Sequence, residues 1–158
     1  MNETRPDTYP DDGPQKTVKA FIIHLERATD RQPQVEELIQ KLPVKTEVVD
    51  AVDGGTLDAQ TIGRVYRRSV HKPRYPFKLS TNEIACFLSH RKAWQAIVDQ
   101  GLDAGLVLED DVELTPEFAA AYSAAFQILK ADSFIRFPFR ERESGCVVLT
   151  TETLRIVE

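Results

Sequence analysis

The stretch GLVLEDDVEL, residues 105–114, indicates the kind of fold that this chain adopts. Its apolar run LVL leads directly into three acidic residues, Glu109, Asp110 and Asp111. A short apolar run that ends in charge is typical of a buried strand whose carboxyl end reaches the surface. Because ligands of open α/β sheets bind at the carboxyl ends of the strands, we expect the acidic triplet at a binding cleft.

The acidic triplet has two interpretations. Adjacent carboxylates raise one another's pKa unless a positive charge lies among them, and a divalent cation would supply that charge. Oxygen ligands of this kind favour Mg²⁺ or Mn²⁺, which in turn favour phosphate-bearing substrates. The alternative is a solvated acidic turn that caps the next helix, since acids also stabilise a helix N-terminus. The stretch alone leaves both interpretations open.

The residues upstream predict a β-α-β unit. Segment 18–25 is continuously apolar at its centre, as expected for a strand that is covered on both faces, and segment 44–49 is the second predicted strand. Thr29 or Asp30 can cap the connecting helix, with Pro33 in its first turn. Helical spacing predicts one buried face on that helix, formed by Val35, Leu38, Ile39 and Leu42, before Pro43 ends it.

A β-α-β order favours parallel strands and a right-handed crossover. The turn after the first strand and the loop 50–55 (DAVDGG) after the second should then share one sheet edge with the acidic triplet. This co-location is the central geometric prediction from the sequence.

Ser80 and Glu83 form a capping box that opens a long helix, which Gly101 closes. We expect its buried stripe to consist of Ile84, Phe87, Leu88, Trp94, Ile97 and Val98. Glu83 and His90 lie two turns apart on one side of this stripe. A histidine in such a position is more often a packed structural residue than a catalytic one, and Cys86 is predicted to be a small buried hydrophobe.

The other segments predict further elements. Segment 57–66 predicts a short helix, and a second helix is expected to start at Thr115 and Pro116. That second helix should pack through Phe118, Tyr122, Phe126 and Leu129. Segments 134–137 and 146–150 are candidate strands, and no closing element is evident before residue 158.

The one basic cluster of the chain begins near the end of the predicted helix 57–66 and continues towards Ser80. It is formed by Arg64, Arg67, Arg68, Lys72, Arg74 and Lys78. A solvated surface is the commoner explanation of such a cluster, and a mobile arm that meets an anionic substrate or a membrane surface is the functional alternative.

The overall composition narrows the class of protein. The 158 residues suffice for one domain, and a net charge of −5 argues against nucleic acid as a partner. Cys86 and Cys146 belong to no CxxC pair, which argues against a zinc site and fits a reducing compartment. Residues 1–16 are polar and Pro-rich without an apolar signal region, so we expect a disordered lead-in and a cytoplasmic protein.

Four blocks in a fixed order carry a resemblance to a known family. They are FIIHLERATDR at 21–31, VVDAVDGG at 48–55, LSTNEIACFLSHRKAW at 79–94 and GLVLEDDVEL at 105–114. With these blocks the chain resembles glycosyltransferase family 25, whose bacterial members build lipopolysaccharide or lipooligosaccharide outer cores. A single block is a weak signal, but four in register are highly specific.

The resemblance implies a Rossmann-like α/β domain of the GT-A type, with a mostly parallel central sheet that binds a nucleotide sugar. It implies transfer of a hexose, usually galactose, from a UDP-sugar to a lipopolysaccharide- or lipooligosaccharide-type acceptor, with Mn²⁺ (or Mg²⁺) as the ion. Such a protein would be cytoplasmic, with peripheral contact at the inner face of the cell membrane.

The resemblance also implies roles for individual residues. Asp111 would be the direct metal ligand, Asp110 a further metal ligand and catalytic residue, and Glu109 would lie beside them on the ribose or in the outer shell. The nucleotide pocket would be lined by His24, Leu25, Arg27 and Arg31, and the uridine side by Asp50, Asp53 and Gly54. Glu83 and His90 would lie near the transferred sugar or the acceptor, and either could deprotonate the acceptor hydroxyl.

The likeness fades after Leu129, although family members generally continue beyond it. We therefore expect residues 17–158 to form a single domain that holds the donor half of the site and lacks part of the acceptor half. The alternative is a truncated, non-catalytic domain that binds a nucleotide sugar or a partner protein. A phosphoacceptor receiver domain also places adjacent acids after an apolar strand. It is set aside, because in such a domain the acids follow the first strand and a long domain comes after them, which is not the case here.

Overall fold

The computed structural model of the chain describes residues 16–67, 77–130 and 133–137, and the backbone of residues 154–156. Its strands are β1 (Val18–His24), β2 (Thr46–Asp50), β3 (Ala104–Glu109), β4 (Val112–Leu114) and β5 (Leu154–Ile156). Its α-helices are α1 (Gln32–Lys41), α2 (Ala59–Val65), α3 (Thr81–Asp99) and α4 (Phe118–Ile128). Short 3-10 turns lie at Thr29–Arg31 and Gly54–Thr56.

The central sheet has the order β2-β1-β3, and both strand pairs are parallel. This confirms the predicted β-α-β unit and the Rossmann-like α/β fold. In the register of the sheet, His24 pairs with Asp50 and Ile23 pairs with Glu109. The carboxyl ends of the three strands therefore lie side by side, which brings together the three segments that follow them.

Strand β1 is covered on both faces because it is the middle strand. Ala20 and Ile22 point into a core that also contains residues of α1 and α4, whereas Phe21 and Ile23 point towards α3. Burial of each large apolar side chain contributes roughly 1.5–3 kcal/mol to the hydrophobic free energy of folding. The result is a sheet between two helical layers, one of which is formed by α3 in the described part of the chain.

The predicted buried stripe of α3 is wrong in part. Its fully buried residues are Ile84, Ala85, Ser89 and Ala93, whereas the predicted members Phe87, Trp94 and Val98 are exposed. Small side chains let this helix approach the sheet closely, and the aromatic residues are turned outwards. Compared with the prediction, a different side of α3 faces the sheet. Cys86 is therefore exposed, although it was predicted to be a small buried hydrophobe.

Helix α1 also departs from the prediction. Ile39 is exposed, so the buried face is formed by Val35, Leu38 and Leu42. Pro33 lies in the first turn as expected. Within the described part of the chain no side chain caps α1, because Thr29 and Asp30 are taken up by the preceding 3-10 turn.

The second half of the described chain contains further differences. Helix α4 begins two residues later than predicted, because the carbonyl of the buried Thr115 first closes a turn with the backbone N–H of Phe118. Residues 134–137 are not a strand, and Phe137 instead packs on the ring of Phe118 at 5.8 Å. Strand β5, which sequence reasoning missed, pairs antiparallel with β4.

Some predictions fall outside the described residues. These are the lead-in up to residue 15, the basic residues Arg68, Lys72 and Arg74, and the candidate strand 146–150. The predicted short helix 57–66 is confirmed as α2, which Asp58 caps. Among the described helices, none has the length and apolar character that crossing a membrane requires.

Candidate active site

An open cleft of about 270 Å³ lies at the carboxyl edge of the sheet. It is lined by the end of β1, the loop after β2, the first turns of α3 and the end of β3. The lining residues include Leu25, Arg27, Asp53, Gly54, Cys86, His90, Glu109 and Asp110. The predicted co-location is confirmed for Glu109 and Asp110, which line the cleft together with the two early turns, whereas Asp111 lies outside the lining.

Asp110 is held by two cationic or potentially cationic side chains. His24 Nδ1 lies 2.7 Å from Asp110 Oδ2, and Arg31 Nη1 donates to Asp110 Oδ1 at 3.1 Å. His24 is buried and only 12% of the Asp110 side chain is exposed, so this pair is largely desolvated. The end of β1 and the turn that follows it thus contact the acidic triplet directly.

Glu109 faces α3. His90 Nε2 lies 3.1 Å from Glu109 Oε1, and the Cys86 thiol donates to the same oxygen at 3.9 Å. The hydrogen bond from His90 lowers the pKa of the Glu109 carboxyl, although burial acts in the opposite direction. Burial and then the Glu109 carboxylate raise the pKa of the Cys86 thiol.

Of the three acidic residues, Asp111 has the carboxylate whose negative charge is neutralised least. Its closest basic group is Arg31, whose Nη1 lies 3.6 Å from Asp111 Oδ2. Burial raises the pKa of the Asp111 carboxyl, and the negative charge of Glu109 adds to this effect. Since a divalent cation would relieve this repulsion, the oxygen donors of Asp111 and Glu109 suit Mg²⁺ or Mn²⁺.

A bidentate ion pair joins the two early segments across the cleft. Arg27 Nε and Nη2 donate to the two carboxylate oxygens of Asp53 at 2.6 and 3.2 Å. These bonds and the backbone N–H of Gly55 lower the pKa of the Asp53 carboxyl. Arg27 remains largely exposed, so its guanidinium can also reach a ligand in the cleft.

Gly54 lets this loop approach α3. A Cβ atom at this position would lie 2.3 Å from Asn82 Oδ1 and 3.1 Å from Asn82 Cα. A larger residue would therefore push the loop away from the helix. Gly54 is needed here for close approach, whereas the sequence suggested that the paired glycines provide flexibility.

Ser89 is a positioning residue that was not predicted as part of the site. It is 2% exposed, its Oγ accepts a hydrogen bond from the backbone N–H of Val52 at 2.8 Å, and its hydroxyl donates to the carbonyl of Ala85. The nearby Lys92 contacts Asp50, with its Nζ 3.7 Å from Asp50 Oδ2. The only signal in the sequence was the place of these residues in the block at 79–94.

Five of the predicted site residues do not line the cleft, namely His24, Arg31, Asp50, Glu83 and Asp111. Asp50 points to Lys92 and is mostly exposed. Glu83 lies outside the cleft lining, because its carboxylate accepts from the backbone N–H and the hydroxyl of Ser80 in the capping box. The helical pair that faces Glu109 is instead Cys86 and His90, four residues apart.

The sequence of the chain is similar to those of known proteins. The model of glycosyltransferase family 25 (LPS biosynthesis protein) matches residues 17–153. A glycosyltransferase 25 family member of Drosophila pseudoobscura pseudoobscura is 35% identical over 103 residues, which cover 63% of this chain and 16% of that protein. Human procollagen galactosyltransferase 2 is 32% identical over 101 residues, which cover 62% and 16%.

A relative named as inactive is similarly close. The human inactive glycosyltransferase 25 family member 3 is 30% identical over 117 residues, which cover 72% of this chain and 20% of that protein. The chain thus spans between about a sixth and a fifth of the length of these relatives.

Proposed function

The chain belongs to glycosyltransferase family 25, and from this membership we propose that its cleft binds a UDP-sugar together with Mn²⁺ or Mg²⁺. We propose further that it transfers the hexose, galactose, to a lipopolysaccharide- or lipooligosaccharide-type acceptor. The observation that carries the proposal is the meeting of both early segments with Glu109 and Asp110 in one cleft, with Asp111 beside them at Arg31. A lipid-linked acceptor would bring a cytoplasmic protein into peripheral contact with the inner face of the cell membrane.

Asp111 and Glu109 would hold the metal ion in this proposal. Asp110 contributes less to binding the ion, because both of its carboxylate oxygens already contact His24 and Arg31. Its role is to fix the turn that presents its two neighbours. When bound, the ion supplies a Lewis acid that stabilises negative charge on the departing diphosphate.

The cationic groups of the site would bind the diphosphate of the donor. Arg27 is oriented by Asp53 and is exposed at the cleft, while Arg31 lies between Asp110 and Asp111. The planar guanidinium suits a phosphate oxygen pair. The loop with Asp53 and Gly54 would then meet the nucleoside, and Ser89 would hold that loop in position.

His90 is the better placed of the two candidate bases. Its Nε2 contacts Glu109, it lines the cleft, and a carboxylate stabilises the imidazolium that forms when the histidine accepts a proton. Glu83 lies at the amino end of α3, with its carboxylate engaged by Ser80. We therefore propose that His90 receives the proton of the acceptor hydroxyl and that Glu83 acts only as a cap.

Calorimetry with UDP tests the donor site. We expect binding in the presence of Mn²⁺, and binding at least about tenfold weaker in Asp111→Asn, since a metal-ligand contact is lost. Asp99→Asn is a matched control, because Asp99 lies at the far end of α3 and accepts from Gln95. No UDP binding to the folded wild-type protein would refute the proposal.

Transfer assays test the activity. UDP-galactose, UDP-glucose and UDP-GlcNAc should be offered with a lipooligosaccharide acceptor and, because of the relative's printed name, with a procollagen acceptor. Product with the glycolipid supports the proposed acceptor, and product with procollagen alone refutes that part.

The second candidate function is a non-catalytic domain that binds a nucleotide sugar or a partner. The relative named as inactive, which matches 72% of this chain, favours it. UDP binding without transfer or hydrolysis would support this candidate. Turnover that Asp111→Asn abolishes would exclude it.

A further inference from the structure

Three side chains of different chemistry converge beside the acidic turn. The ligand atoms of Cys86, His90 and Glu109 all lie within 4.8 Å of one another. His90 Nε2 and Cys86 Sγ lie 3.1 and 3.9 Å from the same oxygen of Glu109. Ligands of one tetrahedral zinc ion lie roughly 3.5 Å apart, since the bonds to zinc are about 2.0–2.3 Å long. The three atoms therefore need only small movements to share an ion.

We propose that Cys86, His90 and Glu109 bind one Zn²⁺ ion. A thiolate, an imidazole and a carboxylate are together a borderline-soft ligand set, which suits zinc and not Mn²⁺ or Mg²⁺. Three protein ligands leave one coordination position, and all three residues line the cleft, so water or a cleft ligand fills it. On binding, the Cys86 thiol loses its proton to solvent as the sulfur–zinc bond forms.

The sequence argument against zinc rested on the lack of a CxxC pair. The structure replaces such a pair with two residues four apart on α3, which lie on the same side of the helix, and a third ligand from the end of β3. This set differs from the proposed Mn²⁺ ligands, because it includes Cys86 and His90 and leaves out Asp111. Glu109 is the one residue that belongs to both.

Zinc at this site would inhibit transfer. It would take up His90, the proposed base, and Glu109, a proposed ligand of the donor metal. This consequence rests on the proposed function, whereas zinc binding itself does not. The two can be tested separately.

Cobalt spectroscopy tests binding. Co²⁺ added to the purified chain should produce a thiolate-to-cobalt charge-transfer band in the near ultraviolet and intense tetrahedral d–d bands, and Zn²⁺ should displace both. Cys86→Ser and His90→Gln should each weaken Zn²⁺ binding more than about 100-fold, since even outer-shell changes cost 10–100-fold. Cys146→Ser is the matched thiol control and Asp111→Asn the control for the acidic turn, and both should keep the spectrum.

The outcomes are distinct. A wild-type protein without the charge-transfer band, or a band that Cys146→Ser removes and Cys86→Ser keeps, would overturn the zinc site. Far-ultraviolet circular dichroism of each variant must match the wild type, and a misfolded Cys86→Ser would be replaced by Cys86→Ala.

Inhibition tests the consequence. If transfer is detected with Mn²⁺, Zn²⁺ should inhibit the wild type, and Cys86→Ser should require more than about 100-fold higher Zn²⁺ for the same fractional inhibition. Equal sensitivity of both proteins would show that zinc acts elsewhere. That result would leave the spectroscopic test to decide on binding, and it would not count against the transferase proposal.

Discussion

The hydrogen bond between Ser89 and Val52 should determine whether the loop after β2 stays at the cleft. Ser89→Ala removes the acceptor for the backbone N–H of Val52, which lies 2.8 Å from Ser89 Oγ. The loop carries Asp53 and Gly54, and it contacts α3 at this point. Loss of the bond should therefore reduce both stability and donor binding.

The magnitude follows from two opposing effects. Leaving a largely buried N–H without an acceptor costs about 1–3 kcal/mol, and Val52 is half-buried, so we take about 2 kcal/mol. Alanine is the better helix former by about 0.5 kcal/mol, which offsets part of this loss. We expect Ser89→Ala to lower the free energy of unfolding by about 1.5 kcal/mol and the Tm by about 3–6 °C.

Urea denaturation and thermal unfolding measure the change. Ser123→Ala is the matched control, because Ser123 is a half-buried serine of α4, on the other face of the sheet, and reports the helix propensity alone. The difference between the two variants should be about 2 kcal/mol. If Ser89→Ala is as stable as Ser123→Ala, the bond does not hold the loop and the reasoning is wrong. UDP affinity, measured in parallel, should fall only in Ser89→Ala.

Three other changes test the site and its surroundings. Gly54→Ala should cost about 1–3 kcal/mol of unfolding free energy in urea, because the new Cβ meets Asn82 and the loop must shift. The hydrogen bonds from the backbone N–H and hydroxyl of Ser80 lower the pKa of the Glu83 carboxyl. The contribution of Glu83 to folding stability is therefore present above pH 4.5, the ordinary pKa of this group, and is lost as the pH falls. The stability difference between wild type and Glu83→Gln should thus shrink between pH 6 and pH 3, and a constant difference would contradict the cap. Burial raises the pKa of Asp111, so Asp111→Asn should stabilise the metal-free protein at neutral pH, as thermal unfolding with a chelator would show.

The sequence predicted the sheet and the cleft because both depend on strand order. A continuously apolar β1, a crossover helix and β2 require parallel pairing, and parallel strands end at one edge. The register that joins His24 with Asp50 and Ile23 with Glu109 is consistent with that rule. The meeting of the early segments with the acidic triplet could therefore be inferred before any coordinates.

The face of α3 could not be predicted in the same way. Large apolar residues were taken as buried, but the helix packs through Ala85, Ser89 and Ala93. Close approach of a helix to a sheet favours small residues, and helical spacing of large ones does not reveal it. Because α3 packs through a different face than predicted, Cys86 lies at the cleft and not in the core. This packing also makes His90, and not Glu83, the neighbour of Glu109.

The charges of the acidic triplet indicate how a metal ion and a donor would bind together. The sequence argued that three carboxylates require a cation, yet the protein itself supplies the positive charge of Arg31 at Asp110. Among the three carboxylates, a bound cation would stabilise the charge of Asp111 most, because the pKa of its carboxyl is raised; 25% of its side chain is exposed. Two carboxylates and water hold Mn²⁺ weakly, because such ions take about six oxygen ligands and phosphates commonly provide some of them.

We therefore expect Mn²⁺ and UDP to increase each other's affinity by the same factor, as linkage requires, and by about 5–150-fold if the coupling is of ordinary size. Titration of each ligand with and without the other would measure this factor by calorimetry. Asp111→Asn should reduce it towards one, whereas Asp99→Asn should leave it unchanged. Independent binding of the two ligands to the wild type would mean that the acidic turn does not bridge an ion to the diphosphate, and the turn would then be the solvated cap that the sequence also allowed.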